Sequence, residues 1–161
     1  MSFEQSIVFR SRTEEYAVPV DQVVSIEKIE RITPVPHLPN YLLGFTRVRG
    51  ELIPVLDFGI ILYNTPSSKD TSKMVVLNTN VVNYGLVVDE AKEILHFNDN
   101  ELAQVGLVNY AKTQYFTAIA NLENRMITCV EPNILVNSLE GIREILEYLR
   151  SLLENENEIN A

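Results

Sequence analysis

The chain has one cysteine, Cys129, and two histidines, His37 and His96, the residue types from which thiol nucleophiles and Cys/His metal sites are built. The histidines stand far apart, and neither a Cys-x-x-Cys nor a His-x-x-x-His spacing occurs, so no metal site is expected. His37 lies between Pro36 and Leu38 and reads as a loop side chain; His96 falls near a strand end. Cys129 sits among Ile127, Thr128 and Val130 without a nearby histidine or cation to favour the thiolate, so it reads as a buried structural thiol. A hydrolase using Cys129 is the alternative of a different class. The remaining chemistry is charge recognition at Arg49-Gly50, a turn between two apolar runs, with Arg47 two residues earlier. Gly50 can adopt the positive φ of a tight turn, and Arg49 can then present its guanidinium fork in a fixed direction.

Asp57-Phe58-Gly59 spells the metal-binding tripeptide of protein kinases, but a glycine-rich loop and a His-Arg-Asp are both lacking. The six glycines form no phosphate-cradling loop. With no complete catalytic constellation and no cofactor motif, the residues point to a binding protein rather than an enzyme.

A length of 161 residues allows one ordinary core, or two small subdomains sharing one. The net charge of -9 disfavours a nucleic-acid binder, which needs clustered Lys and Arg, and disfavours docking on an anionic membrane. A single cysteine fits a reducing cytosol, and no apolar run has the length of a signal peptide or a membrane span. A cytoplasmic protein is expected.

Short strands dominate the elements that would carry these residues. Ser6–Arg10 and Glu15–Val20 are β-rich, followed by a helical turn near Asp21 and a strand within Val23–Ile29. Thr33–Pro39 contains three prolines and is extended; Asn40–Leu43 can make one helical turn. The hairpin Phe45–Asp57 follows, then Phe58–Leu62. Further strands are expected at Met74–Asn78, Val82–Val88, Lys92–Phe97, Gln114–Asn121 and Arg125–Val130, with a helical turn within Asp99–Gly106. Ile142, Ile145, Leu146, Leu149 and Leu153 recur at three- and four-residue steps, which predicts an amphipathic C-terminal helix over 138–153, N-capped by Ser138. The acidic residues from Glu154 to the end at 161 read as a frayed, solvated tail.

The chain also repeats itself. Tyr16–Ile26 aligns with Tyr84–Ile94, and Ile7–Phe9 with Val75–Leu77, at an offset of 68 residues. At an offset of 74, Leu52–Asp57 aligns with Met126–Glu131 and Ile60–Leu62 with Ile134–Val136. The six-residue shift places a longer loop near Asn98–Thr113. Two similar halves, 6–62 and 74–136, would be too small to bury much apolar area alone and should share a core within one domain spanning 5–137.

Pro34-Val-Pro36, Leu38-Pro-Asn-Tyr41, Gly44, Arg49-Gly50 and Pro54-Val-Leu-Asp57 together resemble the signature of the bacterial chemotaxis coupling proteins, CheW and its relatives. Tyr16–Asp21, Val24–Glu27 and Gly85–Glu90 are similar to other parts of that family's pattern. The resemblance implies a mainly β fold of two small five-stranded barrels packed around a shared core. It implies a non-catalytic adaptor, without cofactor or metal, that binds a CheA-type histidine kinase and the cytoplasmic tip of a chemoreceptor. It assigns partner contact to Arg49 and Glu27, which are expected to pair; Arg47, Gly50 and Asp57 beside them are further candidates for partner contact. Three positions depart from the pattern: Arg47 stands where an asparagine is usual, and Phe58-Gly59 where Leu-Arg is common. The alternative within this class is a divergent scaffold serving another kinase pathway.

Overall fold

The computed structural model describes residues 2–104 and 114–160, with side chains described for 2–103 and 114–156. The strand pair β1 (Gln5–Ser11) and β2 (Glu14–Pro19) leads through a 3-10 turn at Val20–Gln22 into β3 (Val23–Glu27). The hairpin β4 (Leu42–Val48) and β5 (Glu51–Asp57) runs into helix α1 (Phe58–Tyr63). The second half supplies β6 (Lys73–Leu77), β7 (Tyr84–Val88), β8 (Glu90–His96), β9 (Leu102–Gln104), β10 (Phe116–Asn121) and β11 (Met126–Val130). It ends in helices α2 (Pro132–Ser138) and α3 (Ile142–Asn160).

Two sheets result, a six-stranded one ordered β8-β1-β2-β11-β10-β9 and a five-stranded one ordered β3-β6-β7-β5-β4. The mainly β fold around a shared core is as the sequence implied. The sixth strand, β9, falls where a helical turn was read: that turn is confined to Asp99–Glu101, and Leu102–Gln104 pairs with β10. The rest of the long loop, 105–113, lies outside the described residues.

The repeat is present strand for strand, with β1, β2, β3 and β5 equivalent to β6, β7, β8 and β11. Both sheets place equivalent strands in the same order, and the equivalent contacts β2–β11 and β7–β5 are both parallel. Yet the β1–β2 hairpin of the first half sits in the sheet with β8, β10 and β11 of the second, and β6–β7 sits with β3, β4 and β5. The segments 6–62 and 74–136 are thus units of sequence that exchange strands, and neither is a separate body in space. Two strands alone are marginal in water and leave two open edges, which here are paired by the other half.

Packing follows from strand alternation. On β1, Ile7 and Phe9 face the central core with Tyr16, Val18, Phe58, Leu77, Tyr84 and Leu86, while Val8 faces a second cluster with Ala17, Phe97, Ala120, Ile127 and Cys129. On β6, Val75 and Leu77 face the central core, and Met74 and Val76 face a third cluster with Ile53, Val55 and Val87. Each sheet therefore covers its own private cluster and shares the central one, which is why β7 is buried along its whole length. At roughly 25 cal/mol per Å², each large apolar side chain buried here contributes about 1.5–3 kcal/mol.

Carboxylates start the short helices. Asp57 Oδ1 accepts from Gly59 N at 2.8 Å and Ile60 N at 3.3 Å, capping α1. Its repeat equivalent Glu131 accepts from Ile134 N at 2.8 Å and caps α2, with Pro132 at the first helical position. Three local expectations are corrected. Asn40–Leu43 forms no helix: one hydrogen-bonded turn, with Leu42 N donating to Pro39 O at 3.1 Å, leads directly into β4 at Leu42. Ser138 closes α2 rather than capping the last helix, its hydroxyl donating to Leu135 O at 2.8 Å. The tail is helical beyond Glu154, since α3 continues to Asn160 with its apolar face seated on the central core.

Candidate functional site

An open groove of about 860 Å³ lies between the β4–β5 hairpin and the segment 26–33 that leaves β3. Backbone pairing builds it. Thr33 N donates to Phe45 O, and Phe45 N to Thr33 O, both at 2.9 Å. The Thr46 hydroxyl donates to Arg31 O at 2.6 Å. This close crossing requires Gly44, where φ is 146° and an added Cβ would stand 2.1 Å from Thr33 O. The proline-rich run, which cannot supply a full set of ladder donors, is thereby pinned across β4 by a single bridge.

The groove has an apolar floor that includes Ile29, Phe45 and Leu52, and a charged rim. Lys28, Arg31, Arg47 and Arg49 outnumber Glu27 and Glu30 there, although the whole chain carries -9. The rim is thus locally basic on a protein that is acidic overall, so its potential favours carboxylates there.

Arg49 and Gly50 form the hairpin turn, with Val48 opposite Glu51 and φ of 52° and 84°. Positive φ at both central residues is the primed hairpin turn, whose twist matches the flanking strands. An arginine at the first of these positions is strained relative to Asn or Gly. The backbone thus holds Arg49 at the crest between the main groove and a smaller hollow of about 180 Å³ lined by Val24, Ile53 and Val76.

Of the residues singled out from sequence, Glu27, Arg47 and Arg49 line this one groove, and Gly50 shapes its rim. The expected Arg49–Glu27 ion pair is not formed among the described residues, although both line the groove. Arg47 is the arginine that is paired, donating to Gly50 O at 3.3 Å and forming an ion pair with Glu156. Asp57 does not belong with them. It is 3% exposed, and besides the two helix amides it accepts from the Ser67 hydroxyl at 2.7 Å and the Ser67 amide at 3.1 Å. A carboxylate enclosed by four internal donors has no face left for a partner. The Phe58-Gly59 departure is structural for the same reason: both residues are buried, and a Cβ at 59 would meet Thr65 O at 2.6 Å.

Two residues that contact groove-lining side chains, without lining the groove themselves, were missed by sequence reasoning. Tyr148 stacks on Phe45 with ring centroids 5.7 Å apart, and Glu156 reaches Arg47. Both lie on α3, and the signal was the four-residue spacing Tyr148, Leu152, Glu156, which extends one helix face into the acidic segment.

Away from the groove, Arg125 makes two hydrogen bonds to Glu15, at 2.9 and 2.6 Å, and pairs with Glu93 at 2.7 Å. The Arg125 hydrogen bond holds the Glu15 carboxyl below its ordinary value of 4.5, against a smaller opposing effect of burial. Cys129 is fully buried on β11, and burial pushes its thiol up to about 12, so the thiolate needed for nucleophilic attack is suppressed. No helix among the described residues is long and apolar enough to cross a membrane.

A model of the CheW-like domain matches residues 5–140. Over 138 residues the chain is 30% identical to the chemotaxis protein CheW of Bacillus subtilis, covering 83% of this chain and 87% of that protein. It is 27% identical over 140 residues to the chemotaxis protein CheW of Klebsiella aerogenes, covering 85% and 84% of the two. The fold superposes on the crystal structure of the scaffolding protein TtCheW from Thermoanaerobacter tengcongensis with a TM-score of 0.73, at 24% identity, covering 85% of this chain and 91% of that one. With its fold, its duplicated hairpins and its whole-domain match in agreement, the chain belongs to the CheW-like family of chemotaxis coupling adaptors.

Proposed function

We propose that this protein couples a CheA-type histidine kinase to the cytoplasmic tip of a chemoreceptor, acting in the cytoplasm without catalysis of its own. The observation that carries the reading is the groove, which brings Glu27, Arg47 and Arg49 to one edge within the segment matched by the family. An apolar floor with a charged rim suits a helix laid lengthwise, with rim charges setting its register. Receptor helices reach the protein at the membrane without the protein entering it, and nucleic acid has no place in the scheme.

Within this reading Arg49 is the partner-facing residue. It is exposed, and among the described residues it makes no ion pair, so its charge is available at the rim. Co-sedimentation with a CheA-type kinase and receptor fragments tests the proposal. Arg49→Ala is expected to weaken receptor coupling while stability changes by no more than about 1 kcal/mol, as for an exposed charge. Failure of the wild-type protein to bind either partner would overturn it. The other adaptor reading, service to a different kinase pathway, rests on Arg47 in place of the usual asparagine; it predicts kinase binding without receptor binding in the same assay. The cysteine-hydrolase reading has no support in the buried, protonated Cys129.

A further inference from the structure

The two elements that bound the groove do not share its charges evenly. The β4–β5 hairpin contributes Arg47 and Arg49 to the lining and no carboxylate. The segment 26–33 contributes Lys28 and Arg31 together with Glu27 and Glu30, so its two cations and two carboxylates sum to zero. Glu51, the carboxylate that follows the turn, lines the smaller hollow instead and forms no ion pair with Arg49. One side of the groove is therefore cationic and the other mixed.

The fold gains little from either hairpin arginine. At the equivalent positions of the β10–β11 hairpin stand Asn121 and Glu123, and that hairpin pairs in the same way. Arg49 sits at a strained positive φ without an ion pair among the described residues. Arg47 makes a long hydrogen bond to Gly50 O, at 3.3 Å, and an ion pair with Glu156 between groups 50% and 38% exposed. A pair that open to water is weak and screened by salt. Two like charges two residues apart also oppose each other.

We infer that the groove takes an amphipathic receptor helix whose flanks differ in charge: carboxylates on the flank beside the hairpin, and a mixed or neutral flank beside the segment 26–33. The inference rests on the coupling reading and deepens it by stating what the receptor helix must present. Reversing such a helix with its apolar stripe still on the floor exchanges the two flanks. Its carboxylates would then meet Glu27 and Glu30, the two carboxylates of the lining. The asymmetry thus fixes the direction of the helix, because like charges brought together penalise the wrong orientation. Arg47 is a specificity-determining residue in this arrangement: it adds a second cation to the one that Arg49 supplies on the same side.

The test is the affinity of a soluble chemoreceptor cytoplasmic fragment for four full-length proteins: wild type, Arg47→Asn, Arg47→Lys and Lys69→Gln. Lys69 is exposed, lies outside the groove and makes no ion pair among the described residues, so its substitution removes a positive charge elsewhere. Arg47→Asn should bind about two- to fivefold more weakly than wild type, the range an exposed charge pair supplies. Its affinity should also fall less steeply as salt rises from about 0.05 M to about 0.5 M. Arg47→Lys, which keeps the charge, should retain most of the affinity, and Lys69→Gln should match wild type. A receptor fragment whose tip Asp and Glu residues are replaced by Asn and Gln should bind wild type more weakly and no longer distinguish it from Arg47→Asn. Equal binding by wild type and Arg47→Asn, equal losses in Arg47→Asn and Lys69→Gln, or a difference that persists with the amide fragment overturns the inference. Absence of receptor binding by wild type overturns the coupling reading itself, and the inference with it.

Discussion

Replacing Arg49 with asparagine is expected to make the protein more stable while making it a poorer coupler. Arg49 holds φ at 52°, in the left-handed region, and Gly50 follows at 84°. For an L-residue that conformation costs about 1–2 kcal/mol, and asparagine tolerates it better than other non-glycine residues. A partner for the guanidinium could offset the cost, but among the described residues Arg49 forms no ion pair with Glu27 or any other carboxylate. Asparagine is smaller than arginine and position 49 is exposed, so the change introduces no crowding. Arg49→Asn should therefore gain about 1 kcal/mol, which for a domain of this size raises Tm by about 2–4 °C. Glycine at the same position would gain less, because its unfolded state is freer by about 0.5–1 kcal/mol. Urea unfolding is the assay, with an unchanged m-value required before the midpoint shift is read as stability. Destabilisation by 1 kcal/mol or more would refute the reasoning, because it would mean that Arg49 is held by an interaction stronger than the backbone strain.

Other perturbations separate scaffold from site. Gly44→Ala should cost more than 2 kcal/mol, measured by the same unfolding assay, since the 2.1 Å approach to Thr33 O forces the pinned segment off β4 and opens the groove. Asp57→Ala removes the cap of α1 and leaves the Ser67 and Gly59 donors unpaired, a loss of about 3 kcal/mol seen as a lower unfolding midpoint; Asp57→Asn keeps an acceptor and should lose less. Glu15→Gln should lower stability by about 1 kcal/mol at neutral pH through the Arg125 pair. The Glu15 carboxyl is depressed in the folded protein, so its contribution is complete above the unfolded value near 4.5 and disappears as pH falls through the lower folded value. The difference in Tm between wild type and Glu15→Gln should accordingly shrink below pH 4.5 and persist above it.

What could be read from sequence were the features written locally. Apolar runs at Ile7–Phe9, Val75–Leu77 and Tyr84–Val88 mark strands because both faces of those strands are buried, and the structure places them in β1, β6 and β7. The Arg49-Gly50 turn was legible because glycine marks positive φ; that Arg49 shares it was not, since arginine carries no such signal. Strand exchange between the halves was invisible, because β2 meets β11 more than a hundred residues away and such pairing leaves no local pattern. Asp57 was misplaced among the contact residues because a motif match cannot distinguish a buried cap from a surface carboxylate. The tail from Glu154 was read as solvated because its charges were counted without asking what they face, and Arg47 lies under one of them.

The duplication separates what folding requires from what it leaves free. Asp57 and Glu131 are equivalent and both cap a helix. Tyr16 and Tyr84 are equivalent, and each hydroxyl bonds at or beside the short helix that follows the parallel strand, at Tyr63 with 2.6 Å and at Pro132 O with 2.9 Å. These roles survive in both halves, so the shared architecture depends on them. The groove residues do not survive. Glu27, Arg47 and Arg49 correspond to Leu95, Asn121 and Glu123, and Glu123-Asn124 closes its hairpin without positive φ. In the second hairpin the nearby charge, Arg125, is consumed inside the molecule by Glu15 and Glu93. The first hairpin keeps Arg49 strained and without an ion pair among the described residues, beside an Arg47 that donates to Gly50 O and pairs with Glu156. The same frame thus carries one hairpin whose charges stabilise the fold and one whose charges are left facing outward, and the second arrangement suits a protein whose work is to be bound.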